Sequence, residues 1–254
     1  MHTIPAKLDL GDSSPLPYNA SGHVTFEGYD TSKPYPGTLT AGWAIDVQVI
    51  ADYPQPTSEG SGFLTTTQLL ISRTYGNVSA DPSWLACKAH LGRVDAAGDY
   101  SKPCSSMLGD ECVAALKSSI AQTSIAHGKC WVSAALPTEC EGRLIDDWGS
   151  FGPVAFDPQE NTISFAGIVD DGLEASHQKG NFTAYDRTLQ TAYVVAVWFM
   201  PESANETANQ MSLVCVRPDS IAPGSRVPGH APSTVVTPWV LFVVLLTASV
   251  LVVS

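Results

Sequence analysis

Between residues 39 and 53 the chain reads LTAGWAIDVQVIADY. Trp43, Ile45, Val47 and Val49 fall at one parity, and Asp46 and Gln48 at the other. A period of two is the pattern of a strand with one face buried. SGFLTTTQLLISRTY (61–75) is rich in Thr and β-branched residues and reads as a second strand. The loop YPQPTSEGSG between them predicts a hairpin or neighbouring strands. GHVTFEGY (22–29), NTISFAGIV (161–169), AYVVAVWFMP (192–201) and QMSLVCVR (210–217) add four more. The AYVVAVWFM run is apolar at both parities, which predicts a central strand covered on both faces.

The period changes in CSSMLGDECVAALKSSIAQ (104–122). Cys112, Leu116 and Ile120 recur at i, i+4 and i+8 with Val113 beside them, and Asp110 and Glu111 precede them. That is an amphipathic helix with acids in its first turn, where the helix dipole favours them. DPSWLACKAHLG (81–92) fits two readings. Asp81 and Pro82 suit a helix start, while Trp84, Ala86 and Lys88 also alternate as a strand would. Residues 1–21 read as an irregular leader and 123–160 as loop-rich. The expected fold is mainly β or α+β: a β-sandwich-like domain over 22–217 with a helical insertion. A Pro/Gly/Ser-rich stalk (218–238) and a separate hydrophobic helix (239–254) are expected after it.

Composition narrows the setting. The 254 residues carry 25 acidic and 13 basic side chains, a formal net charge of −12. Such a surface repels phosphates, which argues against nucleic-acid binding. Cys87, Cys104, Cys112, Cys130, Cys140 and Cys215 are even in number and include no C-x-x-C pair. Disulfides in an oxidising compartment are the expectation, with connectivity open. The alternative is six buried thiols in a reducing compartment. Four N-glycosylation sequons, at Asn19, Asn77, Asn181 and Asn205, agree with the oxidising reading.

The last sixteen residues, WVLFVVLLTASVLVVS, include thirteen apolar ones and no charge. As a helix they would span about 24 Å, against the roughly 30 Å of a bilayer core. Small residues, a polar spacer and an apolar tail in that order make a GPI-attachment signal. Gly229 is the expected attachment residue, with His230 and Ala231 after it. A single-span anchor and a buried C-terminal helix are the alternatives. MHTIPAKLDLGDSSPLPYNA has no apolar signal-peptide core. The expectation is therefore a natural start upstream of Met1; the alternative is a tail-anchored protein facing the cytosol.

No nucleophile elbow, H-E-x-x-H, P-loop or dinucleotide fingerprint occurs. His2, His23, His90, His127, His177 and His230 are scattered, so no catalytic residue, cofactor or metal site is expected. Asp146 and Asp147 beside Trp148, and Asp170 and Asp171 before Gly172, are the notable carboxylates. Paired acids serve glycoside hydrolysis or Ca²⁺ binding, but loop acids are the simpler reading. Trp43, Trp148 and Trp198 can stack on sugars or fill a core; the core is favoured.

The run W-L-A-C (84–87), then C-S-S-M-L-G-D-E-C-V-A-A-L (104–116), then Cys130 and Cys140, resembles uncharacterised secreted and surface proteins of filamentous fungi. The resemblance implies a secreted, disulfide-bonded, often GPI-anchored protein and transfers no activity. The expected function is thus a non-enzymatic, GPI-anchored cell-surface or cell-wall glycoprotein on the extracellular face of the plasma membrane or in the wall. Its expected partners are the membrane, through the tail or a glycolipid, and wall polysaccharide. The alternatives are an anchored hydrolase of wall polysaccharide and a single-span tail-anchored protein.

Overall fold

The computed structural model describes residues 17–57, 60–73, 80–96, 104–127, 130, 135–145, 151–154, 162–170, 177–202 and 210–228. Nine strands lie among them. They are β1 (Ala20–Tyr29), β2 (Leu39–Thr57), β3 (Gly60–Arg73), β4 (Trp84–Asp95), β5 (Phe151–Val154), β6 (Thr162–Asp170), β7 (Thr191–Pro201), β8 (Gln210–Val216) and β9 (Ser220–Ile221). They form two antiparallel sheets, ordered β6-β3-β2-β1-β9 and β5-β4-β7-β8. The expected β2–β3 hairpin is present, in register from Trp43 opposite Arg73 to Thr57 opposite Gly60 with one irregularity between Ile50 and Tyr53. This is the mainly β fold expected, with a helical layer added to its second sheet.

β7 explains the architecture. Every residue from Thr191 to Pro201 is buried. Tyr193, Val195, Val197 and Phe199 face the first sheet and pack with Trp43, Ile45, Val47, Leu69 and Ile71. Ala192, Val194, Ala196 and Trp198 face the other way, into a second core with Leu108, Cys112, Leu116 and Ile120. A strand with a core on each side has no polar parity left, hence its unbroken apolar run. The Thr67 hydroxyl and Tyr193 phenol meet at 2.7 Å, a hydrogen bond across the inter-sheet core.

The second core holds the helices: α1 (Cys104–Leu108) and α2 (Asp110–His127). One helix was expected within 104–122 with Asp110 and Glu111 in its first turn, and α2 starts there but runs on to His127, into residues expected as loop. Gly109, whose φ of +85° lies in the left-handed region, divides it from α1. The Gly109 N–H donates to the Ser105 carbonyl at 2.7 Å, and the Gly109 carbonyl accepts from Val113 at 3.1 Å. The stripe itself is as expected: Cys112, Leu116 and Ile120 are buried and Val113 packs against them. Burying Leu116 and Ile120 stabilises the fold by roughly 1.5–3 kcal/mol each.

Within residues 81–92, a turn at 81–83 leads into strand from Trp84 rather than helix, because Cys87, Ala89 and Leu91 face one core while Trp84 and Ala86 face the other. Four short elements lie outside the expected set: β5, β9, α3 (Thr183–Thr188) and the 3-10 turn Thr138–Cys140. The ends differ as well. Residues 20–21, expected within the leader, begin β1, and Ser220–Ile221, expected within the stalk, pair with them. Ala222 to Ser225 then closes a turn through Pro223-Gly224, with the Ser225 N–H donating to the Ala222 carbonyl at 2.9 Å. Residues 218–228 are thus held by turns and pairing. The extended linker expected from 218 is not extended there, because backbone pairing and side-chain contacts hold 218–228 on the sandwich. The hydrophobic tail 239–254 lies outside the described residues; among those described, no helix is long and apolar enough to cross a membrane.

Candidate functional site

The expected candidates do not converge. Asp170 ends β6, its backbone opposite Thr66, whereas Asp146, Asp147, Asp171 and Trp148 lie outside the described residues. Trp43 and Trp198 are buried core residues at 1% and 0% exposure, so neither offers a ring face to a sugar. The histidines are less isolated than their scatter in sequence predicted. His23 Nδ1 lies 2.7 Å from Asp46 on the outer face of the first sheet. His177 Nδ1 lies 3.0 Å from the Gln178 carbonyl and 3.8 Å from Asp52. The His90 ring stands 5.7 Å from that of Tyr193. Among the described residues no three His, Cys, Asp or Glu side chains converge as a metal site requires.

The six cysteines do converge. Cys87 pairs with Cys130, Cys104 with Cys215, and Cys112 with Cys140. These bridges fasten β4 to the segment after α2, α1 to β8, and α2 to the 3-10 turn Thr138–Cys140. Five of the six cysteines are buried and Cys215 is half-buried. No cysteine is left as a free thiol. The helical layer is thus held on the second sheet by both apolar packing and covalent bonds.

Two sequons lie among the described residues and differ in setting. Asn181 is exposed just before α3, its carbonyl oxygen accepting from the Thr183 N–H (3.2 Å) and hydroxyl (2.9 Å). Asn19 is half-buried. Its carbonyl oxygen accepts from the Ala51 N–H at 2.7 Å and its amide donates to the Ser225 hydroxyl at 3.3 Å. Asn77, Asn205 and Gly229 lie outside the described residues.

Comparison with protein families, curated proteins and solved structures finds no match.

A polar cluster joins α3 to residues 217–228 among the described residues. Arg226 donates to Asp186 through Nε (3.2 Å) and Nη2 (2.8 Å), a two-point contact between guanidinium and carboxylate. That contact is the main reason its pKa lies above the ordinary arginine value. The guanidinium also sits 5.5 Å from the centre of the Phe182 ring. The Tyr185 hydroxyl donates to the carbonyls of Asn19 (3.4 Å) and Arg226 (3.3 Å). Burial, and after it the Asp186 carboxylate, pushes the Tyr185 phenol up to about 12. Beside this lies a cavity of about 320 Å³ bordered by Leu189, Arg217, Asp219, Ile221 and Pro228. Arg217 braces its wall, donating to the Leu189 carbonyl (2.9 Å) and the Ala96 carbonyl (2.7 Å). Motif reading misses this cluster: Asp186 and Arg226 are forty residues apart and neither belongs to a recognisable pattern.

The described chemistry is that of a crosslinked scaffold with residues 217–226 fastened to it. Arg217, Tyr185, Asn19 and Thr67 brace one element to another, and the cysteines are consumed in bridges. An oxidising, extracellular or secreted environment follows from the three bridges.

Proposed function

We propose that this chain is a non-enzymatic surface domain, displayed on the outer face of the plasma membrane or in the cell wall and held there by a glycolipid. The observation that carries the reading is the closure of all six cysteines across the helical layer. Such bridges persist outside the reducing cytosol and harden a domain against an environment without chaperones. The exposed sequon at Asn181 supports the same compartment. The apolar run Trp239–Ser254, preceded by small residues around Gly229, supports a glycolipid rather than a span. Arg217, Arg226, Tyr185 and Asn19 all act on the protein's own backbone and side chains, as a scaffold's polar groups do.

The test is enzymatic release. Cells expressing the full chain are treated with phosphatidylinositol-specific phospholipase C and the medium is assayed. Release of a domain lacking Trp239–Ser254 is expected. Retention, with tail peptides recovered from the membrane, makes the tail a permanent span and overturns the glycolipid reading.

A further inference from the structure

We propose that the Arg226–Val227 peptide bond is a release site for a protease whose specificity pocket takes a cationic side chain, and that Asp186 latches it shut. The bond lies beyond the last bridge, at Cys215, and beyond the last strand pairing among the described residues, at Ile221. Cutting it separates the disulfide-bonded sheets from residues 227–254 without severing any disulfide loop or any described strand. This holds whether a glycolipid or a span anchors those residues, so the inference does not rest on the anchor reading. Between Arg226 and Ser254 no further Lys or Arg occurs.

The local geometry has both halves of a controlled site. Val227 is 48% exposed and Pro223 and Gly224 before it are exposed, so the strand of chain is reachable. Arg226, however, is withheld. A protease must draw the guanidinium into its pocket, and here the group is engaged by Asp186 and lies over Phe182. It must also seat the Arg226 carbonyl, which accepts from Tyr185. Cleavage therefore requires residues 222–228 to lift from α3. The chemistry is simple hydrolysis: water adds, the bond from the Arg226 carbonyl carbon to the Val227 nitrogen breaks, and a carboxylate and an ammonium remain.

The experiment uses membranes carrying the full chain, trypsin as the probe protease, and mass measurement of the released domain. Wild type should yield the product ending at Arg226 slowly. Asp186→Asn should yield it at least tenfold faster. Arg226→Lys leaves a cleavable bond but loses the two-point fork, so it too should be cut faster. Arg226→Gln should give no such product. Equal rates in wild type, Asp186→Asn and Arg226→Lys overturn the latch, and absence of the product from both opened variants overturns the site. Early cuts after the core residues Lys88 and Arg93 would reveal global unfolding of Asp186→Asn; the Arg226→Lys rate then decides. Phospholipase release is scored separately, so either reading can fail alone.

Discussion

The carbonyl oxygen of Arg217 lies 1.6 Å from where a Cβ on Gly22 would stand. β1 of the first sheet and the end of β8 in the second approach so closely there that only hydrogen fits between them. The Ser212 hydroxyl donating to the Glu27 carbonyl at 2.9 Å ties the same two strands further along. The sandwich is thus nearly closed along this edge.

Gly22→Ala should therefore be severely destabilising. The obstruction is backbone, and Arg217 is braced by its hydrogen bonds to Leu189 and Ala96, so neither side can yield cheaply. A loss of about 3 kcal/mol or more is expected, at the upper end for an overpacked site. Urea unfolding of the oxidised protein measures it. A loss under about 1 kcal/mol would mean that the strands separate freely there.

The helical stripe makes a second case. Leu116 is fully buried between α2 and the second sheet, with Cys112 and Ile120 on either side. Leu116→Ala should cost about 2–5 kcal/mol, because the crosslinked layer cannot collapse into the space left. Lys117 is its exposed neighbour, and Lys117→Ala should stay within about 0.5 kcal/mol. Similar losses in the two variants would place the stripe wrongly.

These two cases mark what sequence can and cannot disclose. The stripe was legible because four residues repeat at helical spacing. β7 was legible because its run of apolar residues is long. β4 was ambiguous for a physical reason: it has a core on each face, so Cys87 and Ala89 blur the alternation of Trp84 and Ala86. The start of α2 was legible from Asp110 and Glu111, whereas α1 has five residues, too few to show a period of its own. α3 has six residues, too few to show a period. The residues 218–228 have the composition of a linker, and what orders them is contact with residues distant in sequence: Ser21, Asn19 and Asp186. The same limit applies to the cysteines, whose presence could be read but whose pairing could not.

Lys88 predicts a pH dependence. It alternates with Ala86 onto the inter-sheet face of β4, and burial brings its ammonium down to about 7 from 10.5. Between those values the unfolded chain binds more protons than the folded one, so stability rises with pH across the window. Below about 7 both states are charged and the penalty is constant. Lys88→Met should remove the slope and raise stability at neutral pH. Lys88 retains some contact with solvent, which discounts the gain to about 1–2 kcal/mol. Denaturant midpoints at about pH 6, 8 and 10 test this; a slope unchanged in Lys88→Met would assign it to other groups.

The last prediction separates two sequons that look alike in sequence. Asn181 is exposed and uses only its carbonyl oxygen, in the turn that starts α3. Its amide can carry a glycan without disturbing the fold, and glycopeptide mapping of protein from a glycosylating host should find one there. Asn19 uses both ends. Its oxygen satisfies the Ala51 N–H just past the last β1–β2 pair, Ala20 with Val49, and its amide meets Ser225. A glycan on that amide would press against the segment that Arg226 fastens, so the folded protein should carry none at Asn19. Stability should divide the two in the opposite sense. Asn19→Ala strips the acceptor from a buried backbone donor and should cost about 1–3 kcal/mol. Asn181→Gln should cost under about 1 kcal/mol once both proteins are deglycosylated. Recovery of a glycan on Asn19 from folded protein, or equal losses in the two variants, would show that the amide of Asn19 is not a structural clamp.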